Sequence, residues 1–217
     1  MGVDVSFQSG ASMTNANPWL TGPEQAPEPE PEAAHATTRR QARTGPSTPQ
    51  AGVPTPDTAD RLPRWSQAWP ATVWWLGVHG GAGESTLATL AAGSRPAQHG
   101  WPVADTPGTP SRVALVARTS WSGLTAAQRA ATEWASGVLG DSVQLVGLVL
   151  IPDAPGRLPK PLRDLQHVIA GGVPRVWTLP WVDAWRLGPV DPSVPVPKEF
   201  RALLADLQLS PSGPAHN

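Results

Sequence analysis

Residues 77–86 read Gly-Val-His-Gly-Gly-Ala-Gly-Glu-Ser-Thr, and this run carries the chain's clearest chemical potential. Closely spaced glycines let successive backbone N–H groups curl around an anion, and a helix starting just beyond adds its partial positive charge. Gly80, Gly81, Ala82, Gly83, Glu84, Ser85 and Thr86 are the positions that would line such a phosphate loop. A working loop places a lysine before its Ser/Thr pair to neutralise the β- and γ-phosphates. Here that position is Glu84, so a carboxylate faces the place meant for a polyanion. The sequence therefore predicts a vestigial phosphate loop with no catalytic residue and no metal site.

The other candidates are weaker. Phosphoryl transfer needs a carboxylate to hold Mg²⁺ or orient water. Asp105-Thr106-Pro107-Gly108 and Asp153-Ala154-Pro155-Gly156 are the two places it could come from. Asp-x-Pro-Gly is also an ordinary turn sequence, because proline presets φ and glycine accepts positive φ, and both are read as turns. His35, His79, His99, His167 and His216 lack metal-ligand spacing, and only His79 adjoins the loop in sequence. Ser85 and Ser120 have no visible His/Asp partners and sit in no GxSxG elbow. Arg157, Lys160 and Arg163 are separated by prolines and read as a solvated loop. Trp177, Trp181 and Trp185 straddle Pro180, so they need not share one helical stripe; they are read as core covering the end of a sheet. An exposed aromatic patch for a partner is the alternative.

The elements that must position the loop follow from periodicity. Thr72-Val73-Trp74-Trp75-Leu76 is a short apolar strand leading into it, and Leu87 to Ala92 reads as the helix leading out. Arg112–Ala117 and Val143–Ile151 are nearly continuous apolar runs suited to buried parallel strands. Leu124, Ala127, Ala131, Trp134, Ala135 and Val138 recur at helical spacing within 124–139. A helix over 162–170, a strand over 175–179 and an amphipathic helix over 198–207 complete the pattern, the last with Phe200, Leu203, Leu204 and Leu207 on its apolar face. Alternating strands and helices predict an α/β domain with a mainly parallel sheet and helices on both faces.

The loop resembles the deviant Walker A motif of partition and cell-division ATPases of the ParA/MinD type, which reads KGGxGK(S/T)(S/T). Gly80, Gly81, Gly83, Ser85 and Thr86 match; His79 stands at the signature lysine and Glu84 at the loop lysine. The resemblance implies a small, abbreviated P-loop NTPase-like domain, since Leu87–Ser111 is too short for two intervening strands and their switches. Arg118-Thr119-Ser120, the strand Val146–Leu150 and Leu179-Pro180 fall where that family has a Ser/Thr turn, a GVVL-like strand and a proline-terminated strand. With both lysines replaced, the grounds for a nucleotide-sandwich dimer go too. The segment Trp75–Gly188 also resembles a family of high-GC bacteria carrying a GxHGGAGEST loop and no established activity.

Composition sets the outer bounds. Of 217 residues 27 are proline, 11 tryptophan and none tyrosine or cysteine, a bias that a GC-rich genome produces, so the tryptophans are not by themselves a binding device. A net charge of −1 gives no electrostatic case for nucleic acid or anionic membrane. Without cysteine there are no disulfides or thiolate ligands, which suits a cytoplasmic protein. No run approaches the roughly eighteen apolar residues of a membrane span. Residues 1–68 are polar and proline-rich, with the repeat Ala26–Glu32, and read as a disordered tail with Trp19, Trp65 and Trp69 as possible anchors. The expected organisation is a tail at 1–68, the α/β domain at 69–190, a Pro-rich linker and helix at 191–210, and a frayed end at 211–217.

Together these readings predict a non-catalytic, P-loop-derived regulatory or adaptor protein that needs no cofactor and acts on a protein partner, with homo-oligomerisation open. The alternative is an atypical ATP-binding protein or weak ATPase using ATP and Mg²⁺, with Ser85 on the metal and Arg118 or Arg157 replacing the lysine.

Overall fold

A computed structural model of the chain describes residues 1–2, 45–104, 108–188, 190–191 and 195–212. The chain divides into two units, Met1–Arg39 and Arg40–Asn217, and the fold described is that of the second. In chain order its elements are β1 (Arg64–Gln67), β2 (Val73–Gly77), α1 (Glu84–Leu90), β3 (Ala91–Ala92), β4 (Ser94–Pro96), β5 (Trp101–Ala104), β6 (Ser111–Arg118), α2 (Trp121–Ala135), β7 (Val143–Ile151), α3 (Lys160–Ala170), β8 (Val176–Thr178), α4 (Ala184–Leu187), α5 (Lys198–Leu207) and β9 (Ser210–Pro211).

The centre is a five-stranded sheet in the order β4-β2-β6-β7-β8. Every neighbouring pair in it is parallel. The chain passes from β2 outward to β4, then returns across β2 to build β6, β7 and β8 on the other side. Crossovers of one hand that travel in opposite directions must lie on opposite faces. Accordingly Leu87 and Leu90 of α1 pack on one face with α5, while Leu124 of α2 and Ile169 of α3 pack on the other. The α/β architecture with a parallel sheet and helices on both faces is thus present.

Burial on both faces explains the continuous apolar runs. In β6, Val113, Leu115 and Ala117 enter the α2–α3 core while Ala114 and Val116 enter the α1–α5 core. A register shift between Val113 and Ala114 leaves Val146 of β7 as the extra, unpaired residue of a bulge, and it puts Leu148 rather than Gly147 in step with Leu145. The apolar face expected of the C-terminal helix is the one α5 buries: Phe200, Leu203, Leu204 and Leu207 are at most 2% exposed, docked on the sheet.

Several boundaries differ from the sequence reading. Residues 91–92 do not extend α1; they form β3, paired antiparallel with β9, so Ser210–Pro211 and Ser212, whose N–H bonds Leu90 O, belong to the fold rather than to a frayed end. The stretch 87–111, read as too short for two strands, holds both β4 and β5, whose three and four residues are too few for a periodicity to show. Residues 45–67, placed in the tail by composition, lie against the domain. Gln50 N–H bonds Ala135 O, Val53 and Leu62 pack on the α2–α3 core, and β1 pairs parallel with β5. The fully buried Glu133 of α2 fixes this strap: its Oε2 accepts the Leu62 N–H at 3.0 Å and the Trp101 indole N–H at 2.9 Å. The remainder of the expected tail, residues 3–44 with Trp19 and the Pro-Glu repeat, lies outside the described residues, as do Asp105 and residues 213–217.

Candidate functional site

Where strand order reverses in a doubly wound sheet, the two connections diverge and leave a crevice at the carboxyl ends of the strands. Here the reversal falls between β2 and β6. Residues 78–83 after β2 and Thr119-Ser120 after β6 sit at that crevice, so the glycine-rich loop occupies the position the topology provides. Gly81 at φ +74° and Gly83 at φ +109° adopt the left-handed conformation that bends the loop into the helix.

Glu84, the first residue of α1, does not project outward. It is 7% exposed and turns back beneath the end of β2, where its Oε2 accepts the Gly77 N–H at 2.7 Å. The His99 N–H lies 3.5 Å from the same oxygen, and His99 Nδ1 is 3.7 Å from Oε1. His99 Nδ1 is also 2.8 Å from Gly77 O, a contact only an Nδ1–H can make as a donor. The ring is therefore held with its Nδ1 proton pointing at the end of β2. Gln98 and His99 have φ of +57° and +58°, a costly conformation for two side-chain-bearing residues, and it is what brings His99 to Glu84.

His79 was expected to be the only histidine near the loop, and the structure adds His99. The link depends on β4 returning alongside β2, which carries no local signature. His79 itself faces the other way: its Nε2 accepts the Arg118 N–H at 3.0 Å, so Nδ1, 2.9 Å from Gly80 O, carries the proton. The imidazole thus ties the loop to the end of β6. Gly123 of α2 must be glycine for this packing, because a Cβ there would lie 2.3 Å from Arg118 O and 2.9 Å from His79 Nε2.

Of the two arginines considered as substitutes for the lysine, Arg118 reaches the loop and Arg157 is exposed before α3. Arg118 Nε donates to Gly81 O at 3.1 Å and Nη1 to Pro152 O at 2.9 Å. Burial holds this guanidinium below the usual arginine value; Asp153 opposes that shift and Arg186 adds to it. It remains a cation at neutral pH. Asp153 follows β7 as a metal-holding aspartate would, yet it is exposed, its N–H bonds Thr119 Oγ1 at 3.3 Å, and Gly156 in the same bend has φ +96°. No group of three His, Cys, Asp or Glu residues among the described residues could hold a metal ion.

One flank of the loop is covered, while Gly80, Gly81 and Ser85 are exposed. Pro180–Val182, Trp185 and Arg186 meet Gly83, Thr86, Arg118 and Ile151 around a cavity of about 20 Å³. That is room for a single water, far below any nucleotide. Trp177, Trp181 and Trp185 do not form one stripe. Trp177 is buried in β8, Trp181 lines this cavity, and Trp185 meets Phe200 edge-on at 5.8 Å. Ser85 is exposed, with its carbonyl taken by Thr89 Oγ1. Lys160 and Arg163 lie on α3 rather than in a loop, and Lys160 pairs with Asp164 at 2.9 Å on its exposed surface.

The fold and its crevice define a small doubly wound α/β domain with a glycine-rich turn at the switch point. The chain belongs to a family of unknown function (DUF6668), whose profile matches residues 71–204. Comparison with curated proteins and with solved structures gave no match. Among the described residues no helix is long and apolar enough to cross a membrane.

Proposed function

We propose that this is a non-catalytic, P-loop-derived regulatory or adaptor protein whose loop is closed by its own carboxylate. The observation that supports this reading is the buried Glu84 side chain, bonded to the Gly77 N–H where a working loop needs a mobile cation. A carboxylate committed to that bond supplies no neutralising charge to a bound polyanion, and the net negative side chain adds a like charge nearby. The covered flank of the loop acts in the same direction. Binding to a protein partner in the cytoplasm is part of the proposal; the indoles of Trp69 and Trp121, 70% and 66% exposed, are the kind of side chain that anchors such contacts.

The competing reading is an atypical ATP-binding protein or weak ATPase. It is favoured by Arg118, whose guanidinium touches the loop and could replace the lysine, with Ser85 left to hold Mg²⁺. Titration calorimetry of the full chain with ATP, with and without Mg²⁺, decides between them. We expect no heat of binding at millimolar nucleotide. Tight, Mg²⁺-dependent binding that Arg118→Ala abolishes would overturn the non-catalytic reading.

A further inference from the structure

The amino ends of the same strands, opposite the loop, hold a larger opening. A groove of about 440 Å³ lies between the start of β6, the start of β7, the approach to β8 and α5, lined by Arg112, Gln144, Arg175, Trp177 and Asp206, with Ser47 of the strap at its edge. Within the groove, Arg175 and Asp206 form an ion pair at 2.8 Å, their side chains only 17% and 14% exposed. The pair is anchored: the Trp177 indole N–H bonds the same Asp206 oxygen at 3.0 Å, and the Arg175 guanidinium lies over the Trp177 ring at 5.6 Å.

This anchored frame leaves hydrogen-bonding capacity pointing at solvent. Both contacts to Asp206 fall on Oδ2, which leaves Oδ1 as an acceptor. Among the described residues the Arg112 guanidinium has only a long 3.4 Å contact to Thr72 O, and the exposed Gln144 amide makes no side-chain hydrogen bond. Arg112 and Arg175 against Asp206 leave one positive charge in excess in the groove. The size is that of a small-molecule site, and its accessible lining is mainly polar, with Leu145, Val146, Pro174 and Leu207 contributing a smaller apolar part.

We propose that this groove binds a small organic acid bearing one carboxylate and a neighbouring hydroxyl or amino group. The excess positive charge favours the carboxylate, and the planar fork of Arg112 matches its geometry. Asp206 Oδ1 accepts from the hydroxyl or ammonium, and Gln144 supplies either polarity. Inorganic phosphate, more highly charged on average at neutral pH, meets the Asp206 carboxylate as a like charge even though its P–O–H can donate.

The test is an NMR titration of the full chain with L-lactate, L-serine, acetate and inorganic phosphate, following the Trp177 indole N–H. That resonance is assigned by its loss in Trp177→Phe. Lactate or serine is expected to shift it with a Kd of about 1 mM or below. Acetate, lacking the donor, should bind about tenfold more weakly, and Arg112→Ala should weaken the better ligand by at least about tenfold. Because Arg112 sits at the rim, that variant should fold; if it does not, Gln144→Ala is expected to weaken binding several-fold. No shift with lactate or serine, tighter binding of phosphate than of either, or binding unchanged in the variants would overturn the assignment.

Discussion

Glu133 Oε2 accepts the Leu62 N–H at 3.0 Å, joining a residue of the proline-rich N-terminal strap to the last turn of α2. The same oxygen holds the Trp101 indole, while Oε1 is buried with no hydrogen-bond partner. Replacing Glu133 by alanine leaves two buried donors unmet, and each such group costs about 1–3 kcal/mol. Glu133→Ala is therefore expected to lower the urea midpoint by the equivalent of at least about 2 kcal/mol. A loss under about 0.5 kcal/mol would mean the strap is held by its apolar contacts alone.

The strap also fixes the position of the protease-resistant boundary. Limited proteolysis should leave a core starting near residue 45, because β1 and Leu62 are bonded into the domain. A chain beginning at residue 69 should melt several degrees lower than one beginning at residue 45. Mass spectrometry of the resistant fragment and a thermal melt of each chain check both statements.

At the loop, Glu84→Ala removes the acceptor of the buried Gly77 N–H and should cost about 1–3 kcal/mol in chemical denaturation. Glu84→Gln keeps an acceptor oxygen and should cost less. Glu84→Lys loses the same bond but puts a long, flexible cation at the position where a working loop neutralises the phosphates. It should fold less stably than the native chain while gaining weak, calorimetrically detectable ATP affinity. A folded Glu84→Lys chain that binds no nucleotide would show that the cover formed by Pro180–Arg186, rather than the charge, closes the site.

Gly123→Ala tests the joint between loop and sheet. The new Cβ would lie 2.3 Å from a backbone oxygen, Arg118 O, which cannot swing aside as a side-chain tip can. Forced overpacking of this kind costs about 1–3 kcal/mol or more. The His79 and Arg118 backbone resonances should move with it, since His79 Nε2 lies 2.9 Å from the same point.

Beneath the edge strand, Asp206→Ala would strand the buried Arg175 guanidinium and the Trp177 indole N–H together. Breaking a buried pair from one side costs about 3–5 kcal/mol, so this variant should be among the least stable single substitutions in the chain. Asp206→Asn keeps an acceptor for the indole, and its loss should be visibly smaller in the same denaturation series.

What the sequence determined by itself is the part written in local pattern. The apolar runs at 73–77, 111–118 and 143–151 are long enough to demand burial on both faces, and the spacing of Phe200, Leu203, Leu204 and Leu207 gives α5 its face unaided. The glycine-rich turn and the glutamate at its lysine position were also visible. Only the tertiary structure decided where that glutamate points. Its partners come from the end of β2, Gly77, and from the turn between β4 and β5, His99, which arrives through the three-residue β4 and a left-handed pair that no periodicity announces. The strap was hidden for the same reason. Its composition is that of a tail, and what orders it is a handful of hydrogen bonds to residues 30 or more positions away, Trp65 to Gln98 and Leu62 to Glu133 among them. Apolar periodicity reports which side of an element is buried. It is silent on polar contacts between distant segments, and the candidate site is built from those.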